Sequence, residues 1–235
     1  MDKYRISGKN IIFYKNKTYT LDYVYSIGIK KYENRIDLEI YKIKENSMFS
    51  FFKELNFLNM IDKISFKLDE FDRVVGVNNY EDLKIKIRSK LILLEIKRPK
   101  LEEIIEFLDQ KLEKVEDFLD SIFEIDFIDF LFCGNLEKRK NRNFYGVKPV
   151  ENFEILIEMK KENSQENFIY SLEKESLNKK LLKYYINNEK IPNYFVEGKG
   201  VKIYLNDVLQ SAKLELRSGE EEKFEREIHL NIEKE

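Results

Sequence analysis

The chain has 235 residues, 43% hydrophobic, 14% aromatic and 37% charged, with a net charge of -2. That length fits one large domain or two small ones, and the apolar share is enough to fill a sizeable core. Near-neutrality excludes a global field toward nucleic acid or an anionic membrane, and the single cysteine, Cys133, excludes an internal disulfide framework or a thiolate metal cluster.

The start, MDKYRISGKNIIFY, lacks the apolar stretch of a secretory signal, and no apolar run approaches the ~20 residues needed to cross a bilayer. A cytoplasmic protein with no membrane partner is expected. Asn16-Lys17-Thr18 fits a glycosylation sequon, which without export is a coincidence in a turn.

Residues 1–45 read as strands. Tyr23, Tyr25, Ile27 and Ile29 alternate, as do Ile36, Leu38 and Ile40, across a polar link from Lys30 to Asn34. An aromatic-rich connection follows with Phe49, Phe51, Phe52, Leu55, Phe57 and Leu58. Ile64, Phe66 and Leu68, then Val74, Val75 and Val77, give a second strand pair broken at Asp69 to Asp72. Next, Tyr80, Leu83, Ile87, Leu91 and Leu94 step by three and four residues, which predicts a helix capped by Asn78 or Asn79. Pro99 stops that helix and starts another, because proline disfavours helix at the residue before it yet suits a first turn.

From Pro99 to Cys133 eleven acidic residues face three basic ones, while Leu101, Ile104, Ile105, Leu108, Leu112, Val115, Leu119 and Ile122 carry an apolar stripe. A short helix through Ile125 to Phe132 ends at Gly134 and Asn135. The second half returns to strands with Phe153, Ile155, Ile157 and Met159, then Phe168, Tyr170 and Leu172, before a helix over Leu177 to Asn187. Strands Val201 to Leu205, Ala212 to Leu216 and Phe224 to Ile232 close the chain, with turns expected at Gly198-Lys199-Gly200 and Ser218-Gly219. Strands flanking a helical centre argue for an α+β protein. The expected sheet is mainly antiparallel and curved, built from N- and C-terminal strands, with the helical segment of about 79–132 on one face. The expected organisation is one domain over 1–235, with a two-lobed alternative of 1–133 and 150–235 joined by a basic loop, 134–149.

Few residues carry chemistry. The lone histidine, His229, sits among Glu225, Glu227 and Asn231 on the polar side of the last strand, where an imidazole faces solvent. Cys133 ends an apolar stretch and reads as a structural thiol, since a reactive thiolate needs a cationic setting. No glycine pattern cradles a phosphate, and no cofactor is expected.

At Leu91 to Pro99, LILLEIKRP places an acid, a spacer and a lysine after an apolar run, with aspartates upstream. This resembles the active-site pattern of the PD-(D/E)xK nuclease superfamily, although no proline precedes the aspartate. The resemblance implies a divalent metal on Glu95 with Asp72 or Asp82, and Lys97 orienting water or steadying developing charge. Leu91 and Leu94 also belong to the stripe from Tyr80, and within a helix Glu95 and Lys97 point ~200° apart.

Glu116, Asp120 and Glu124 recur at four-residue spacing, beside Glu113 and Asp117. Such a ladder is ordinarily a solvated face. From Asn135 to Pro149 the chain turns basic: Lys138, Arg139, Lys140, Arg142 and Lys148 surround Phe144 and Tyr145, a composition that suits phosphates and unpaired bases or a docking protein. The sequence therefore favours a non-catalytic protein that binds another protein, as an accessory assembly component or an immunity-type inhibitor. The candidate contacts are Lys138, Arg139, Lys140, Arg142, Phe144, Tyr145, Glu116, Asp120 and Glu124. The alternatives are a metal-dependent nuclease, a nucleic-acid module using 138–148, and a carrier holding an apolar ligand between sheet and helices.

Overall fold

The computed structural model describes residues 1–14, 16–47, 57–70, 73–123, 125–132, 155–172, 174–191, 193–221 and 223–235. Among the described residues ten strands are hydrogen-bonded in the order β5-β4-β3-β2-β1-β10-β9-β8-β7-β6. They are β1 (Asp2–Tyr14), β2 (Lys17–Tyr32), β3 (Arg35–Ser47), β4 (Lys63–Leu68), β5 (Val74–Val77), β6 (Ile155–Glu162), β7 (Gln165–Leu172), β8 (Tyr194–Leu205), β9 (Val208–Glu220) and β10 (Phe224–Lys234). The helices among the described residues are α1 (Phe57–Met60), α2 (Tyr80–Lys97), α3 (Glu102–Gln110), α4 (Val115–Phe123), α5 (Asp126–Phe132) and α6 (Lys174–Ile186). The α+β class and the antiparallel character of the sheet thus stand. No helix among the described residues is long and apolar enough to cross a membrane.

The chain divides into two compact units, one of Met1–Ile6, Tyr23–Asn135 and Glu235, the other of Ser7–Asp22 and Leu136–Lys234. In the first unit, alternation puts Tyr23, Tyr25 and Ile27 of β2, Ile36 and Leu38 of β3, and Ile64, Phe66 and Leu68 of β4 in the core. The register Ile36↔Phe66 and Leu38↔Ile64 aligns those side chains across β3 and β4. Helices cover them: Phe66 packs on Phe123 and Phe132, Tyr25 on Phe127, and Phe118 on Phe57 and Tyr80, with ring centroids 5.0–5.9 Å apart.

Pro99 opens a single 3-10 turn, Pro99–Leu101, between α2 and α3, so the expected stop and restart is observed. The expected continuous stripe beyond it breaks at 111–114 into α3 and α4, where the Tyr80 hydroxyl donates to the Leu112 carbonyl at 2.7 Å. Asn79 occupies the N-cap position of α2 without capping it. Its Oδ1 instead accepts from the Ser65 N–H at 2.9 Å and its Nδ2 donates to the Lys63 carbonyl at 3.3 Å. The amide thereby continues the hydrogen-bond pattern of β4 beyond the end of β5.

In the second unit, β7–β10 bury Phe168, Tyr170, Val196, Ala212, Leu214, Leu216, Phe224, Ile228, Leu230 and Ile232. Two expected turns are corrected here. Gly198-Lys199-Gly200 lies inside β8, and Ser218-Gly219 inside β9. Both glycines serve close approach: a Cβ on Gly198 would meet the Glu215 carbonyl oxygen at 2.7 Å, and one on Gly219 the Phe224 carbonyl oxygen at 2.1 Å. The β8–β9 hairpin turns at Asn206 and Asp207, both left-handed at φ 50° and 61°, as a two-residue loop between paired strands requires.

Candidate protein-binding face

Helix α2 fixes the positions of Asp82, Glu95 and Lys97. Glu95 and Lys97 lie on its last turn, both exposed. Asp82 lies on its first turn, 13 residues before Glu95. At 1.5 Å per residue the two carboxylates are ~20 Å apart along the axis, too far to share one ion. Asp72 is outside the described residues. Among the described residues no three His, Cys, Asp or Glu side chains gather as a metal site. Of the acidic ladder, Glu116 and Asp120 are exposed on α4, while Glu124 is outside the described residues. Cys133, Lys138, Arg139, Lys140, Arg142, Phe144, Tyr145 and Lys148 are outside them as well.

Two polar clusters do form on strands. In the first unit Asp37 is buried on β3 directly across from Ser65. The Ser65 hydroxyl donates to Asp37 Oδ1 at 2.7 Å, Lys63 Nζ lies 3.0 Å from Oδ2, and Arg35 Nε lies 3.2 Å from Oδ1. Burial pushes the Asp37 carboxyl up, but the Ser65 and Lys63 hydrogen bonds and the nearby Lys63 and Arg35 charges outweigh it, so the group titrates below its ordinary range. The Ser65 hydroxyl donates to a carboxylate whose depressed pKa makes it a weak base, and the lysine is held charged, with its pKa raised by Asp37 and then Glu39. The cluster has the character of a structural ion-pair network, in which Arg35 Nε pairs with Asp37 by charge without a formed hydrogen bond.

In the second unit an open charged ladder crosses β8, β9 and β10. Arg217 sits between Glu197 and Glu227 on the neighbouring strands, and in the next rung Glu215 sits between Lys199 and His229. Arg217 Nη2 donates to Glu225 at 2.6 Å. His229, expected at solvent, is 51% exposed, with Nε2 3.8 Å from Glu227. These are screened pairs on a wet face.

The feature that the sequence reading passed over is the outer side of α2. Its inner stripe, Leu83, Ile87, Leu91 and Leu94, is buried as predicted. Diametrically opposite, at 100° per residue, lie Ile85, Ile92 and Ile96, with Leu93 beside them. These four side chains are 66%, 57%, 72% and 56% exposed, respectively. On α3, Ile104 and Phe107 are exposed as well. The stripe is flanked by a tied-down rim: Arg88 donates through Nε to Asp109 at 2.7 Å and through Nη2 to Asp109 and Glu113, and Lys86 pairs with Asp62. The sequence signal was present in LILLEIK, where apolar residues occupy positions all round the helix. That segment carries apolar side chains on more than the one face that the first unit buries.

No protein-family profile matches the chain. No curated protein matches it. Among solved structures it is similar to a DUF1329 family protein from Desulfovibrio piger ATCC 29098, at 8% identity over 99% of this chain and 85% of that one, with a TM-score of 0.17. That likeness is too slight to carry fold or function across.

Proposed function

We propose that this chain is a non-catalytic, cytoplasmic protein-recognition protein that binds another protein through the outer face of α2, as an assembly component or an inhibitory partner. The observation that supports this reading is the stripe Ile85, Ile92, Leu93 and Ile96, more than half exposed on a well-packed helix. Contiguous exposed apolar residues with a polar rim mark interaction sites, whereas scattered ones do not.

Magnitudes set the kind of complex. Covering these side chains is worth ~1–2 kcal/mol each after allowing for the area already buried, or about 4–8 kcal/mol together. Association itself costs at least ~4 kcal/mol, so the stripe anchors a partner but needs further contacts for tight binding. The exposed carboxylates Glu116 and Asp120 on α4 suit partner choice and encounter rate more than affinity.

Affinity capture from the native host with the wild-type chain and with Ile92→Asp/Ile96→Asp tests this reading. A stoichiometric protein partner that is lost from the variant supports it. No stoichiometric partner, or one retained equally by the variant, overturns it.

A further inference from the structure

We infer that one occupant of the α2 outer face is a second copy of the same face, paired antiparallel about a two-fold axis. The inference rests on the reading of α2 as an interaction surface. The outer stripe runs Ile85, Ser89, Ile92, Ile96, a spacing of four, three and four residues, which is the seam of a helix pair. With the axis midway between Lys90 and Leu91, Ile85 meets the second copy's Ile96, and Ser89 meets the second copy's Ile92. Such a contact is self-complementary and closed, with the same patch used on both sides.

The polar groups agree with that pairing. The Ser89 hydroxyl already donates to the Ile85 carbonyl at 2.9 Å, so covering it strands no donor. The first turn of α2 is acidic, with Glu81 and Asp82, whereas Lys97, Arg98 and Lys100 make its far end basic. Antiparallel pairing sets each acidic turn against the second copy's Lys100 and opposes the two helix dipoles. Glu95 then faces the second copy's Arg88, whose Nη1 is left over when Nε and Nη2 bind Asp109 and Glu113. A parallel arrangement puts Asp82 beside Asp82 and like ends together. A seam of this length, ~16 Å from Ile85 to Ile96, is small for a stable interface, so a weak, concentration-dependent dimer is expected.

Sedimentation equilibrium over a rising concentration series tests the inference. The wild type shows a monomer–dimer equilibrium, and Ile92→Asp weakens it more than about tenfold. Ile85→Ser, a milder change on the same stripe, moves it in the same direction, and unchanged helical circular dichroism in both variants separates loss of pairing from loss of fold. Glu81→Lys/Asp82→Lys alone and Lys100→Glu alone each weaken self-association about threefold, while a mixture of the two restores it, because both ends of the mixed pair are again opposite in charge. A dimer untouched by Ile92→Asp, or charge variants without effect, overturns the antiparallel pairing. A wild type that stays monomeric overturns self-pairing but leaves the α2 face as a binding surface if host capture succeeds. Failure of both experiments removes the face altogether.

Discussion

Helix α2 carries two apolar stripes of nearly the same chemistry and opposite fate. Leu83, Ile87, Leu91 and Leu94 are buried against the first unit, while Ile85, Ile92, Leu93 and Ile96 lie in water. The inner stripe explains why the helix forms and stays. The outer one is not part of that packing, and the proposed partner would give its apolar character a cause. Substitutions at a buried and at an exposed position of one helix would therefore separate stability from the proposed recognition.

Truncation breaks the comparison most sharply. Leu91→Ala removes a side chain that is 2% exposed and is expected to cost ~2–5 kcal/mol of unfolding free energy, read from the denaturant midpoint. Ile92→Ala, one residue on, is expected to change stability by no more than about 0.5 kcal/mol. Equal losses at the two positions would mean that both stripes are core.

The same contrast holds for charge. Asp37→Ala leaves the buried Ser65 hydroxyl without its acceptor and removes the carboxylate that pairs with the partly exposed Lys63 and Arg35, an expected loss of ~1–3 kcal/mol. The pH profile carries its signature. The folded-state pKa is depressed, so the contribution is present above the unfolded value near ~4 and is lost as pH falls through the folded one. The stability gap between wild type and Asp37→Asn should thus close on acidification below about pH 4.

On the alkaline side, burial first and the Asp2 charge second push the Tyr4 phenol up to about 12. Its contribution is intact below about pH 10 and disappears as pH rises through the folded value, a loss of ~1–2 kcal/mol that Tyr4→Phe should abolish in alkaline unfolding curves. A small effect is also expected at Arg217, whose partners Glu197, Glu225 and Glu227 lie on the open face of the second unit. Arg217→Ala should cost less than ~1 kcal/mol and lose even that at high salt in the same denaturant assay.

Much of the architecture was legible in the sequence, for identifiable reasons. The three- and four-residue steps from Tyr80 to Leu94 marked the inner face of α2, and Pro99 marked its end, because periodicity and proline act locally. Glycine misled at 198 and 219, where it serves close strand approach across β8, β9 and β10, a need set by a neighbouring strand and invisible along the chain. Asn79 misled for the same reason: its amide meets β4, which is distant in sequence. The outer stripe was readable in principle. A search that stops at the best apolar stripe assigns a helix one buried face, and Ile85, Ile92 and Ile96 then look incidental. The basic-aromatic stretch around Lys138 to Tyr145 and the acid Glu124 lie outside the described residues, so those candidate contacts stand as proposals beside the α2 face.

The most direct test is the affinity of Ile92→Asp for the captured partner, or for its own second copy, in protein whose denaturant midpoint matches the wild type. The account predicts binding weaker by more than about tenfold with stability unchanged. Undiminished affinity in the folded variant would contradict it.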